Sequence, residues 1–193
     1  AQALQASSLI VVPTGLGKTV IALMVLLARM DKGKVLFLAP TKPLVDQHAS
    51  FLQRVLRDRD AVVMMTGERT PESRMELWSR GYIVVSTPQV IENDLLSRRI
   101  DLAEVSLIIF DEAHRAVGGY AYVYIADRYR REAKSPLVLG ITASPGSQSE
   151  KIAEICSMRR ALSTGEREVS PPISRSSMRS FWRRASTSVV CGI

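Results

Sequence analysis

Cysteine is scarce in this chain. Only Cys156 and Cys191 occur, far apart and without secretory features around them, which reads as free thiols of a reducing compartment and excludes a disulfide framework. No metal-ligand spacing is present, and the two histidines, His48 and His114, are isolated along the chain. The longest apolar run, Val20 to Ala28, is nine residues, against the roughly 20 that a bilayer span requires. It reads as a buried helix, so no membrane partner is expected. No charged segment leads into a cleavage site, so no signal peptide is expected either. The first residue is Ala1 and not Met, which points to a longer protein whose start has been lost or trimmed.

Lysine is missing from the last part of the chain. Residues 158–193 hold seven arginines and two glutamates, whereas residues 1–157 hold 19 basic and 17 acidic residues. The overall charge of +7 is therefore concentrated in the tail, and the body is nearly neutral, which says little about partners. The tail is rich in Ser and Arg, contains Pro171-Pro172 and shows no useful period. Two readings account for it: a disordered tail, or a shifted reading frame that ends the fold midway. A nucleic-acid-binding tail fits less well, because its arginines lack interleaved aromatics. We accordingly place one domain over 1–157 and an aberrant or disordered segment over 158–193.

What is present, from Ser8 onward, is a regular alternation. Strands are expected at Leu9–Val12, Val35–Ala39, Ala61–Met65, Ile83–Ser86, Leu107–Phe110 and Leu137–Ile141. Nearly all are apolar throughout, as strands covered on both faces are. Helical spacing fills the intervals at Lys18–Met30, Pro43–Arg57, Pro71–Arg80, Gln89–Ser97, Tyr122–Ala133 and Gln148–Met158. Repeated β-α units predict an α/β fold with a mainly parallel, doubly wound sheet. Ligands of such sheets bind beyond the C-terminal strand ends, where the chemically distinctive segments all fall.

The first such segment is Pro13-Thr14-Gly15-Leu16-Gly17-Lys18-Thr19. Its glycines let the backbone approach phosphate oxygens, and the helix start adds N–H donors and a favourable dipole. Lys18 is placed to reach the β- and γ-phosphates, and Thr19 to put its hydroxyl on Mg²⁺. Val12 stands where the strict pattern wants its first glycine, a position belonging to the strand end. The second segment, Asp111-Glu112-Ala113-His114, follows a buried strand. Paired carboxylates there are costly unless a cation lies between them. Asp111 suits Mg²⁺, held through water in the manner of such sites, and Glu112 suits orienting and deprotonating a water attacking the γ-phosphate. His114 beside them suits a contact between nucleotide state and other loops. Thr41-Lys42, Thr66-Gly67-Glu68 and Thr87-Pro88 then repeat a design of hydroxyl and helix start, suited to a nucleic-acid backbone without base reading.

Taken in order, these segments resemble the motifs of the first RecA-like domain of superfamily 2 helicases. Pro13–Thr19 resembles motif I, Ala39–Val45 motif Ia, Thr66–Glu68 motif Ib, and Thr87–Val90 motif Ic. Asp111–His114 resembles motif II, and Thr142-Ala143-Ser144 motif III. With Ala39-Pro40-Thr41-Lys42-Pro43-Leu44-Val45 and the Gly118–Tyr122 segment after motif II, the chain is most similar to the archaeal Hef and Fanconi anaemia M-type group. The resemblance implies a RecA-like P-loop NTPase fold, ATP and Mg²⁺ as cofactors, and ATP-driven remodelling of forked or branched DNA. It gives His114, Thr142 and Ser144 a coupling role, and implies a cytoplasmic, nucleoid-associated, archaeal protein. The family's adenine-reading glutamine has only weak matches, at Gln2 and Gln5. Motifs IV to VI, with the arginine finger, belong to a second lobe that 158–193 cannot supply, so weak ATP binding and poor hydrolysis are expected. Two alternatives stand beside this reading: an RNA-directed superfamily 2 lobe, and a non-catalytic nucleotide-binding remnant.

Overall fold

The computed structural model describes residues 7–13, 17–116 and 120–143. The expected helix over Gln148–Met158, the boundary at 157/158 and the tail lie outside the described residues, as do Gln2 and Gln5. Among these residues six strands form one sheet: β1 (Ser8–Val11), β2 (Lys34–Leu38), β3 (Val62–Met65), β4 (Ile83–Ser86), β5 (Val105–Phe110) and β6 (Val138–Thr142). Every pairing is parallel and the spatial order is β1-β6-β5-β2-β4-β3. Among the described residues five α-helices accompany them: α1 (Lys18–Leu27), α2 (Lys42–Val55), α3 (Pro71–Arg80), α4 (Pro88–Leu96) and α5 (Tyr120–Glu132).

The uninterrupted apolar character of the strands has a direct structural cause. Alternate side chains enter two separate cores, one on each face of the sheet. Leu36, Leu38, Val63, Val84, Ile108 and Phe110 pack with Leu77, Ile91, Leu95, Ile125 and Tyr129 of α3, α4 and α5. Val35, Phe37, Ile83, Val85, Leu107 and Ile109 pack with Ala22, Leu26, Val45 and Leu52 of α1 and α2. Every residue of β2, β4, β5 and β6 is buried, so no polar alternation survives in their sequences. The doubly wound reading is thus correct.

Boundaries shift where a polar residue or a turn intervenes. β5 begins at Val105, two residues before the apolar run suggests, because Ser106 is drawn into the strand. Its hydroxyl lies 3.1–3.3 Å from the carbonyls of Arg29, Gly33 and Lys34 and can donate to one of them. α1 stops at Leu27, not Met30, because the chain tightens into a 3-10 turn at Met30–Lys32 and then reverses at Gly33. Gly33 has φ 145°, and a Cβ there would stand 2.5 Å from the Glu104 carbonyl oxygen, so only glycine permits this approach of the two strand starts. Among the described residues, no helix is long and apolar enough to cross a membrane.

Candidate active site

The strand order divides the C-terminal edge of the sheet into two halves. β1, β6 and β5 carry the loops with Lys18, Thr142 and Asp111–His114, while β2, β4 and β3 carry those with Thr41, Thr87 and Thr66. The β2–β5 pairing is the seam between them. The sequence could place all these loops on one edge but could not sort them into halves, because strand order is a tertiary property.

On the first half, β1 delivers the chain to Pro13, and Thr14, Gly15 and Leu16 lie outside the described residues. Gly17 then caps α1 with φ 87°, a left-handed conformation that side chains resist. Lys18 and Thr19 open the first helical turn, where their own N–H groups have no acceptor within the helix, and no acidic side chain occupies that turn.

Across from it, the Lys18 ammonium donates to Glu112 Oε1 at 3.3 Å, both side chains being largely buried. Glu112 Oε2 lies 3.2 Å from His114 Nδ1, and the same nitrogen lies 2.9 Å from the hydroxyl of Thr142. Lys18, Glu112, His114 and Thr142 therefore form one polar chain running from α1 through the loop after β5 to the end of β6. Ser144 lies outside the described residues. Glu112 has φ 49°, a conformation that costs a non-glycine residue roughly 1–2 kcal/mol and that gathers at functional sites.

Asp111 faces elsewhere. Its Oδ2 lies 2.7 Å from Nε2 of His48, and both side chains are about nine-tenths buried. Its backbone N–H donates to the Leu38 carbonyl at 2.8 Å, and its carbonyl accepts from the Tyr122 hydroxyl at 3.2 Å. The two adjacent carboxylates thus have different partners. The histidines, isolated along the chain, are both tied in space to this pair. The sequence reading missed His48 and Tyr122. A usable signal existed for the first, since His48 shares the buried face of α2 with Val45, Ala49 and Leu52, where an imidazole needs a bonding partner.

Among the described residues no three His, Cys, Asp or Glu side chains converge as a metal cage. Thr19 and Asp111 instead offer a hydroxyl and a carboxylate, the hard oxygen donors that suit Mg²⁺ shared with phosphates and water. This donor chemistry fits the ion.

On the second half, Thr41 and Thr87 are the N-cap residues of α2 and α4, yet neither side chain bonds its own helix. Thr70 at the head of α3 does cap, accepting from the Ser73 N–H at 3.3 Å. The first turns of α2 and α4 also hold no acid, whereas α3 has Glu72. Lys42 pairs with Glu68 on the exposed surface, and that hydrogen bond holds the ammonium pKa above its ordinary value. Thr66 and Pro88 are buried, while Gly67 is exposed with open space around it. The Ser86 hydroxyl donates to the Met65 carbonyl at 2.8 Å and ties the ends of β4 and β3 together. A cavity of about 590 Å³ lies at the opposite, N-terminal edge of the sheet, lined by Lys34, Gly81, Tyr82, Glu104 and Lys134 among others. Burial lowers the Lys34 pKa there, with Glu104 opposing. None of the motif loops lines it, so we do not assign it to the phosphate chemistry.

Known proteins resemble this chain in sequence and in fold. Residues 1–152 match the model of the DEAD/DEAH box helicase family. The chain is 46% identical over 159 residues to MJ1505 of Methanocaldococcus jannaschii, which is named for ATP-dependent RNA helicase activity, covering 81% of this chain and 20% of that protein. It is 37% identical over 162 residues to the DEAD-box ATP-dependent DNA helicase Fancm of Drosophila melanogaster, covering 80% of this chain and 11% of that one. The chain thus spans a fifth or less of these curated relatives. The crystal structure of the Pyrococcus furiosus Hef helicase domain superposes with a TM-score of 0.75 at 57% identity, covering 80% of this chain and 33% of that one. The RecA-like reading of the fold and the resemblance to the Hef and Fanconi anaemia M-type group are correct, and the chain belongs to the DEAD/DEAH box helicase family.

Proposed function

We propose that this chain is the ATP-binding lobe of an ATP-dependent DNA helicase or translocase acting on forked or branched DNA. The observation that carries the reading is the treatment of the helix starts. α1, α2 and α4 all begin on the C-terminal edge without a first-turn acid, and the cap threonines of α2 and α4 leave their helices unbonded. Helix starts left positive in this way suit anions: a triphosphate at α1, and a nucleic-acid backbone at α2 and α4.

In this reading Pro13–Thr19 cradles the triphosphate and Lys18 leaves Glu112 to engage the β- and γ-phosphates. Thr19 and Asp111 would hold the magnesium ion, which would supply charge neutralisation on the phosphates. Glu112, freed from Lys18, orients the attacking water and accepts its proton. His114, Thr142 and Ser144 pass the occupancy of the phosphate half to neighbouring loops. Thr41, Lys42, Thr66, Gly67, Thr87 and Pro88 contact the DNA backbone, Lys42 exchanging Glu68 for phosphate. Turnover requires a second RecA-like lobe. The relatives from M. jannaschii and P. furiosus go with an archaeal setting, and a cytoplasmic, nucleoid-associated one is proposed with it.

Titration with a fluorescent ATP analogue tests the phosphate site. Lys18→Ala removes a charge-assisted contact of about 1.5–3 kcal/mol, equivalent to roughly 10–100-fold in affinity. Equal affinity of the two proteins would remove the ATP-site claim and favour the non-catalytic alternative. The RNA-directed alternative draws on the name of the M. jannaschii relative, against the DNA helicase activity for which the Drosophila relative is named. Comparing ATPase stimulation by forked DNA and by double-stranded RNA, with the second lobe joined, separates the two.

A further inference from the structure

We infer that His48 is a positioning residue for the metal-holding carboxylate of Asp111, an inference that rests on the ATP–magnesium reading above. An imidazole on the apolar face of a helix is costly to bury without a hydrogen-bond partner, and His48 is only 7% exposed. Its ring packs against Phe37 of β2, with centroids 4.6 Å apart, so its orientation is set from the strand as well as from α2. Its Nε2 lies 2.7 Å from Asp111 Oδ2. A carboxylate can only accept, so Nε2 carries the hydrogen and donates.

The bond occupies one oxygen of the carboxylate and leaves Oδ1 as the oxygen for the ion or its water. Asp111 is held at three further points. Its N–H is bonded to Leu38 at the end of β2, its carbonyl to Tyr122 of α5, and its backbone continues β5. The main chain is thereby fixed, and His48 supplies what these contacts do not, the rotation of the carboxylate itself. Partners that orient a metal ligand in this way are worth 10–100-fold in metal affinity. The residue comes from α2, a helix that begins at Thr41-Lys42 on the other half of the edge. The side-chain bond therefore crosses the β2–β5 seam.

Manganese provides a readout independent of hydrolysis. The paramagnetic resonance signal of free Mn²⁺ is followed as the 193-residue protein is titrated in the presence of a non-hydrolysable ATP analogue. Three variants are compared with the wild type: His48→Gln, which keeps an amide donor near the Nε2 position, His48→Asn, which is polar but too short, and His48→Leu. The Gln variant is expected to hold Mn²⁺ within about threefold of wild type, and the Asn and Leu variants to lose roughly 10–100-fold. Metal-free analogue affinity is expected to stay unchanged in all three, which separates positioning from a general loss of structure. If Leu does not fold, the Gln–Asn comparison decides alone. Wild-type Mn²⁺ affinity in the Asn variant, or a loss in Gln equal to that in Asn, overturns the role of His48. No nucleotide-dependent Mn²⁺ binding by the wild type overturns the ATP–magnesium reading together with this inference.

Discussion

Tyr129 has no exposed surface, and its hydroxyl sits on the backbone of Leu137, accepting from the N–H at 3.0 Å. Burial pushes its pKa up to about 12, against the opposing effects of the Leu137 bond and the Arg29 charge. The folded state therefore keeps a proton that the unfolded chain releases near pH 10. The resulting stability is complete below pH 10 and is lost as pH rises from 10 toward 12, amounting to roughly 2–3 kcal/mol. Tyr129→Phe is expected to cost about 1–3 kcal/mol at neutral pH by leaving the Leu137 N–H without its acceptor. The difference in urea-unfolding free energy between the two proteins should then shrink above pH 10. A difference that stays constant to pH 11.5 would exclude this titration. Residue-scale features divide sharply in how readable they were. Gly17 was legible because a phosphate loop needs glycine, and Asp111-Glu112 because charge seldom follows an apolar strand. The positive φ of Glu112 was not, since surroundings impose it on a residue type that does not advertise it. The interaction of His48 with Asp111 was not read: the spacing of α2 could have put the imidazole on the buried face, but its partner lies 63 residues away.

At the scale of elements, the loop with Thr66, Gly67 and Glu68 is held by an ion pair between α3 and α4. Arg74 donates two bonds of 2.7 Å to the two oxygens of Asp94, and a third to the Arg69 carbonyl at 2.6 Å. Asp94 is 1% exposed, and Arg99 reaches it only at 3.5 Å. The hydrogen bond to Asp94 raises the Arg74 pKa. Removing one member of such a pair leaves a buried charge behind, so Arg74→Met is expected to destabilise by about 3–5 kcal/mol. The double change Arg74→Met with Asp94→Leu should recover most of that loss, as apolar replacements of buried pairs do. Chemical denaturation measures both, and a double variant no more stable than the single one would show that the clamp contributes more than charge compensation. Neither residue stood out in the sequence, because a charged pair split between two amphipathic helices looks like two solvated faces. The six strands, by contrast, were all found, since burial on both faces leaves continuous apolar runs. Their ends were less accurate wherever a polar residue such as Ser106 serves a strand instead of ending it.

Across the whole molecule, the sheet order sets how much of a catalytic cycle one lobe can complete. The phosphate half of the edge contributes Lys18 as its charged donor among the described residues, and that ammonium faces the carboxylate of Glu112. Among the described residues, charge developing on a transferred γ-phosphoryl group would meet the Lys18 ammonium, the start of α1 and two neighbouring carboxylates, beside the magnesium ion that Thr19 and Asp111 would hold. The resemblance to superfamily 2 helicases implies a further cation, an arginine finger on a second lobe, a contribution worth on the order of 10³–10⁵ in rate. Strand order could not be read from sequence, so neither could this one-sided distribution of charge. The 193-residue chain is therefore expected to bind nucleotide but to hydrolyse it slowly, and to separate no DNA strands. Joining a second RecA-like lobe should raise the hydrolysis rate at saturating ATP by about 10³-fold or more, and the same fusion carrying Glu112→Gln should stay at the rate of the isolated chain. A steady-state ATPase assay on the three proteins decides. If the isolated chain already turns over as fast as the fusion, the γ-phosphate is neutralised from within one lobe. The division of labour across the sheet edge would then have to be assigned differently.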